Sequence, residues 1–184
     1  MKYNPVTEAV LSQLQNICGE KNILTEAEKI EAYAHDEAPP EQFSHMPEVV
    51  VTPETDIQVQ KIVKLAHEKM IPVTPRGAGS GLSGGAIPEY GGIVISVEKM
   101  NNILEIDRDN MMMVLEPGVI TNNINEKLED EGLFFAGYPM SVETCFLGGN
   151  IAENAGGGKA VKYGVTGRYI TGLDLVTPTG DLIK

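Results

Sequence analysis

Five of the nine residues from Gly77 to Gly85 are glycine, and the run follows directly on the short apolar stretch Ile71-Pro-Val-Thr74. Glycine loses more backbone freedom on ordering than any other residue, so a fixed loop of this composition needs a compensating interaction. An anionic ligand supplies one. Without Cβ atoms in the way, successive backbone N–H groups can turn inward and converge on phosphate oxygens. Arg76, at the mouth of the loop, is expected to add a fixed positive charge. Leu82, Ala86 and Ile87 anchor the run between two apolar segments, which sets it apart from a flexible linker.

Gly79-Ser-Gly81-Leu-Ser-Gly84 has the spacing of the dinucleotide fingerprint, whose last glycine must open a helix. Pro88 and Gly91-Gly92 bar a helix at that point, which counts against a nicotinamide-binding enzyme. A P-loop is excluded as well: Gly158-Lys159 is followed by Ala160, and no Gly-Lys-Ser/Thr ending occurs.

A net charge of −12 over 184 residues argues against a nucleic-acid or anionic-membrane surface. Against that acidic background, Arg76, Lys159, Lys162 and Arg168 all lie in or beside glycine-rich segments, as a local anion site requires. Cys18 and Cys145 are far apart and give no disulfide framework. His35, His45 and His67 lack metal-ligand spacing, so no metal is expected. There is neither a basic leader with an apolar core nor a run of membrane length, and a cytoplasmic location is expected.

Along the chain, Asn4-Pro5 starts a helix whose apolar stripe is Val10, Leu11, Leu14, Ile17 and Cys18, ending at Gly19. Thr25-Glu-Ala-Glu28 reads as a capping box for a second short helix. Residues 1–47 thus form a helical arm and linker. From residue 48 the composition changes. Glu48-Val-Val-Val-Thr52 is a buried strand, Thr55 with Gln58 caps the next helix, and Ile71-Pro-Val-Thr74 is a second strand, giving a βαβ unit with a parallel pair. Gly92 to Val97 is a third strand.

Beyond Asn102 the pairing turns antiparallel: Ile103 to Asp107 and Met111 to Glu116 flank the turn Arg108-Asp-Asn110 as a hairpin. The methionines at its start, Met111 to Met113, are read as strand and core packing. A helix runs from Thr121 until Gly132. A second glycine-rich region follows, in which Ser141, Thr144, Asn150 and Asn154 interleave with Gly148-Gly149 and Gly156-Gly-Gly158 as a wall for a large flat cofactor. Ile170 to Thr177 is a last strand with a turn at Pro178-Thr-Gly-Asp181. Its return strand is barely begun at Lys184, so the chain is expected to be the front part of a longer polypeptide.

Pro75-Arg-Gly-Ala-Gly-Ser-Gly-Leu-Ser-Gly-Gly-Ala86, with Gly148-Gly-Asn-Ile-Ala-Glu-Asn-Ala-Gly-Gly157 and Lys162-Tyr-Gly-Val165, resembles the FAD-binding domain of the vanillyl-alcohol-oxidase-type, or PCMH-type, flavoproteins. Within them it is most similar to the glycolate oxidase catalytic subunit and D-lactate dehydrogenase branch, from about Glu48 onward. The resemblance implies an α+β domain of two lobes, a small parallel βαβ lobe over about 48–101 and an antiparallel sheet lobe with helices over about 102–184, C-terminally incomplete.

It also implies a cofactor site. The backbone N–H groups of Arg76, Gly77, Ala78, Gly79, Ser80, Gly81 and Leu82 would hold the FAD pyrophosphate, with Pro75 beside them, Gly118, Pro139, Ser141, Gly148, Gly149 and Asn150 lining the rest and Tyr163 and Gly164 close by. Covalent members of the wider group carry a flavin-linking histidine where this chain has Ser80, so noncovalent FAD is expected. The implied reaction oxidises a small 2-hydroxy acid to the 2-oxo acid. Substrate-binding and catalytic residues of such proteins lie mostly in a C-terminal cap domain, so none is assigned here and the chain alone is expected to be inactive. The implied electron acceptors are an electron-transferring flavoprotein or an iron–sulfur subunit. The alternative is a non-catalytic module that binds a nucleotide or a partner protein.

Overall fold

The computed structural model describes residues 3–137 and 139–184. The first helix, α1 (Glu8–Cys18), starts three residues later than Asn4-Pro5 suggests, because the Thr7 hydroxyl accepts from the Val10 N–H and caps it. Its buried face is Val10, Leu14 and Cys18, at spacings of four. After it comes β1 (Ile23–Leu24), a strand not foreseen in the sequence. The capping box at Thr25 gives only one turn of helix, α2 (Ala27–Ile30), with no side-chain cap.

The three remaining strands of the first sheet are β2 (Val49–Val51), β3 (Val73–Arg76) and β4 (Ile93–Ser96). Helix α3 (Asp56–Lys69) links the first two. Its capping box forms as the sequence indicates: Thr55 accepts from the Gln58 N–H, and the Gln58 side chain accepts from the Glu54 N–H. The sheet order is β1-β2-β4-β3. The expected direct pairing of β2 with β3 is therefore corrected: β4 lies between them, parallel to both. Strand β3 also begins two residues later than expected and carries Pro75 and Arg76 into the sheet.

Alternation along these strands sorts the core. Val49, Val51, Ile93 and Ile95 pack with Val10, Leu14 and Cys18 of α1 and with Ile62, Leu65 and Ala66 of α3. Val50 and Val94 form a separate cluster with Ile30, and with Leu24 and Tyr33 from the arm. Both faces of the sheet are covered, which is why β2 and β4 read as uninterrupted apolar runs. Residues 3–47 contribute a strand to the sheet and side chains to both clusters packed on it.

The second half opens with the predicted hairpin, β5 (Ile103–Asp107) antiparallel to β6 (Met112–Leu115). Of its methionines, Met113 packs against the second core, whereas Met111 and Met112 are exposed. That core is built on Val119, Leu147 and, from α4 (Thr121–Leu128), Ile124 and Leu128. The glycine-asparagine stretch is not the open wall expected. It folds in part into a short helix, α5 (Leu147–Ala152), and a single turn, α6 (Ala160–Tyr163). The chain finishes with a two-residue hairpin, β7 (Leu175–Val176) with β8 (Leu182–Ile183). So the last strand has a partner, and it is shorter than the sequence suggests. The hairpin's turn rests on α3, where a Cβ on Gly180 would strike the Lys64 backbone at 2.9 Å. No helix among the described residues is long and apolar enough to cross a membrane.

Candidate cofactor site

The glycine loop leaves the carboxyl end of β3, the edge at which open parallel sheets bind ligands. Among the described residues, the backbone N–H groups of Gly77, Ala78, Gly79, Ser80, Gly81 and Leu82 have no protein acceptor. None of the six residues is buried, so these donors are open to a ligand as well as to water. Gly79 has φ +73°, a conformation open to glycine at little cost.

The second glycine region comes up behind this loop. A Cβ on Gly77 would meet the backbone of Gly149 at 3.4 Å, and the Ser83 hydroxyl donates to Glu153 at 2.8 Å. Between the two lies a cleft of about 420 Å³, lined by Arg76, Gly77, Ala78 and Ser80 on one side and by Thr144 and Phe146 on the other. Ala32, Tyr33, Glu37 and Glu98 complete it. Tyr33 and Ser96 both donate to Glu98, at 2.9 and 2.8 Å. Burial, and then the Glu98 charge, push the Tyr33 hydroxyl up to about 12.

Arg76 departs from its expected role. Its guanidinium is buried against Gly79 and committed to backbone carbonyls, donating to Ala32 at 3.0 Å and His35 at 2.8 Å, with a longer contact to Ala86. It also lies over the Tyr33 ring, 5.5 Å from the centroid. Burial lowers its pKa from the usual arginine value. Arg76 shapes the loop, and the loop's amides remain as the anion donors.

The other candidate positions divide. Ser141 accepts from the Thr144 and Cys145 N–H groups, forming the turn that delivers Thr144 and Phe146 to the cleft. Pro139 is half-buried just before it, and Tyr138 lies outside the described residues. Gly118 and Gly148 serve close packing: a Cβ on Gly118 would run into the Val97 carbonyl, and one on Gly148 would meet Pro117 Cβ at 2.7 Å. The Gly148 N–H donates to the Pro117 carbonyl at 2.8 Å, which fixes the start of α5. Asn150 is buried, with its amide nitrogen donating to Thr121 at 2.7 Å. Tyr163 belongs to a different cluster, edge-on to Phe134 at 5.5 Å, and its carbonyl accepts from Tyr169 at 2.7 Å, while Gly164 caps α6. Tyr33, Glu37 and Glu98 were not foreseen, because no local pattern marks residues that reach the loop from an arm and from the end of another strand.

Residues 47–184 match the family model described as FAD binding domain. The chain belongs to the FAD-binding domain family. Its relatives in that family include glycolate oxidase subunit GlcD of Bacillus subtilis, 37% identical over 97% of this chain and 38% of GlcD. D-lactate dehydrogenase of Anaerostipes hadrus is 39% identical over 100% of this chain and 38% of that protein. The chain thus spans about two-fifths of the length of these relatives. Among solved structures, alkyldihydroxyacetonephosphate synthase shares the fold with a TM-score of 0.86 at 22% identity, over 98% of this chain and 34% of that one.

FAD is the cofactor of this family, and the donor set fits it. A dinucleotide pyrophosphate is a compact anion, and the unengaged amides of the loop, of which Gly77, Ala78 and Ser80 line the cleft, can bind it without a lysine. The carboxylates of Glu37 and Glu98 lie in the same cleft, so an anion there depends on close amide contacts to outweigh them.

Proposed function

We propose that this chain is the FAD-binding portion of a 2-hydroxy-acid oxidoreductase of the glycolate or D-lactate type. The unengaged amide run at residues 77–82, set against Gly149, carries the cofactor part. The substrate class rests on the similarity to the glycolate oxidase subunit and the D-lactate dehydrogenase. In this arrangement the amides of Gly77 to Leu82 hold the pyrophosphate, Phe146 and Thr144 bound the cleft opposite them, and Pro139, Ser141 and Gly149 lie along the continuation of the cofactor. Gly118, Gly148 and Asn150 keep that wall in place from behind. When bound, FAD supplies the hydride acceptor for converting a 2-hydroxy acid to a 2-oxo acid.

Ser80 lines the cleft and cannot form the histidine-type flavin linkage, which supports noncovalent binding. Electrons pass on to an electron-transferring flavoprotein or an iron–sulfur subunit, and the net charge of −12 favours a basic face on that partner. A cytoplasmic location completes the proposal, supported by two free, buried thiols, Cys18 and Cys145.

The test is a visible spectrum of the chain after mixing with FAD and desalting. Flavin absorbance that survives desalting and leaves with the supernatant on acid precipitation is expected. Colour kept in the pellet refutes the role of Ser80, and no retained flavin refutes the cofactor assignment for this chain.

A further inference from the structure

A loop with five glycines in nine residues needs external fixation, and in this structure most of it comes from the N-terminal arm, with one further bond from Ser83 to Glu153. Four hydrogen bonds join residues 32–37 to the loop. Arg76 donates to the carbonyls of Ala32 and His35 at 3.0 and 2.8 Å. The Glu37 N–H donates to the Gly81 carbonyl at 2.9 Å, and the Gly84 N–H donates to Asp36 Oδ2 at 2.8 Å. Asp36 is buried, and its other oxygen accepts from the Ala38 N–H at 2.8 Å, so both ends of the carboxylate are committed to backbone. All of these arm residues lie outside the span 47–184 that matches the FAD-binding family.

We propose that residues 32–38 are a strap that presets the shape of the cofactor loop, with Asp36 as its positioning residue. The proposal rests on the FAD assignment for its purpose, and on the hydrogen bonds alone for its mechanics. The strap holds the loop at Arg76, Gly81 and Gly84, and none of its bonds uses the N–H groups of Gly77 to Leu82. It turns the Gly81 carbonyl toward the arm, away from competition with those donors. A loop ordered before the ligand arrives spends less binding free energy on ordering, which is the general advantage of preorganisation.

The test is ¹⁵N relaxation of the FAD-free chain, with Asp36→Asn, which keeps the shape but puts an amide nitrogen against one of two backbone N–H groups. The wild-type loop is expected to be as rigid as regular structure, with order parameters for residues 77–86 of about 0.85, falling below about 0.6 in Asp36→Asn. FAD affinity is expected to fall about 10-fold in the same variant, as loss of a hydrogen bond to a charged group implies. Glu41→Gln, an exposed change just beyond the strap, should alter neither. If Asp36→Asn does not fold, Arg76→Lys releases the other end of the strap and must loosen the same residues. A wild-type loop already mobile without FAD overturns the strap, and so does a variant whose changes stay within residues 32–38. A wild type with a rigid, strap-dependent loop that binds no FAD would leave the strap standing and refute the FAD assignment instead.

Discussion

The guanidinium of Arg76 fills the space that a side chain on Gly79 would need. Glycine at that point therefore answers to the protein's own arginine and to its φ of +73°, before any ligand is considered. Gly79→Ala is expected to lower stability by about 1–3 kcal/mol, combining left-handed strain with displacement of a buried cation. Urea unfolding of the FAD-free chain measures it. An unchanged midpoint would mean that Arg76 moves aside freely.

Arg76→Lys separates two roles for this residue. A lysine keeps the charge but cannot reach the carbonyls of Ala32 and His35 together with the same fork. Because the guanidinium acts on the protein's own backbone, the FAD-free chain should lose about 1–3 kcal/mol. A variant of normal stability in which only FAD affinity falls would return Arg76 to the phosphate.

The loop itself, the β2-α3-β3 unit, the hairpin β5-β6 and the change of pairing between the halves were legible in the sequence, because each is written in local pattern and turn chemistry. Strand order was not. That β4 inserts between β2 and β3, and that Ile23 and Leu24 join β2, depend on long-range pairing with no local mark. Helix α5 was hidden for another reason: Gly148-Gly149 has poor helix propensity, and the helix forms because Val119 and Pro117 carbonyls accept the N–H groups of Leu147 and Gly148 while Asn150 bonds Thr121 from inside. Glycine content alone pointed to a ligand at both motifs. In the first it leaves free amides, and in the second it largely lets one piece of backbone pack on another.

That difference is testable with neighbouring residues. Gly148→Ala places a methyl 2.7 Å from Pro117 Cβ and 3.0 Å from its carbonyl oxygen, and should cost about 1–3 kcal/mol. Gly149→Ala meets nothing nearer than Gly77 Cα at 4.0 Å, so the gain in helix propensity should leave stability unchanged or up to about 1 kcal/mol higher. Thermal unfolding of both variants without FAD measures the contrast, and equal losses would contradict it.

Stability should fall in alkali. Burial, reinforced by Glu54, pushes the Cys18 thiol up to about 11, and burial with Glu98 pushes the Tyr33 hydroxyl up to about 12. Both groups have raised pKa values in the folded state, so above their ordinary values of 9.0 and 10.0 the unfolded chain loses protons that the folded chain keeps. The contribution is complete below about pH 9 and is lost as pH rises through 11 to 12. Tyr33→Phe should flatten the upper part of that decline in a pH series of urea midpoints. An unaltered slope would show that Tyr33 ionises as readily folded as unfolded.

In the proposed FAD site the backbone of residues 77–82, and no basic side chain, holds the pyrophosphate. Amide chemical shifts recorded during a titration of the ¹⁵N-labelled chain with FAD test it most directly. The largest changes are predicted at the N–H groups of Gly77 to Leu82, and inorganic pyrophosphate should move the same signals in the same direction. Saturable binding that leaves these six amides unmoved, with its changes gathered around Lys159, Lys162 or Arg168, would show that basic side chains hold the pyrophosphate instead.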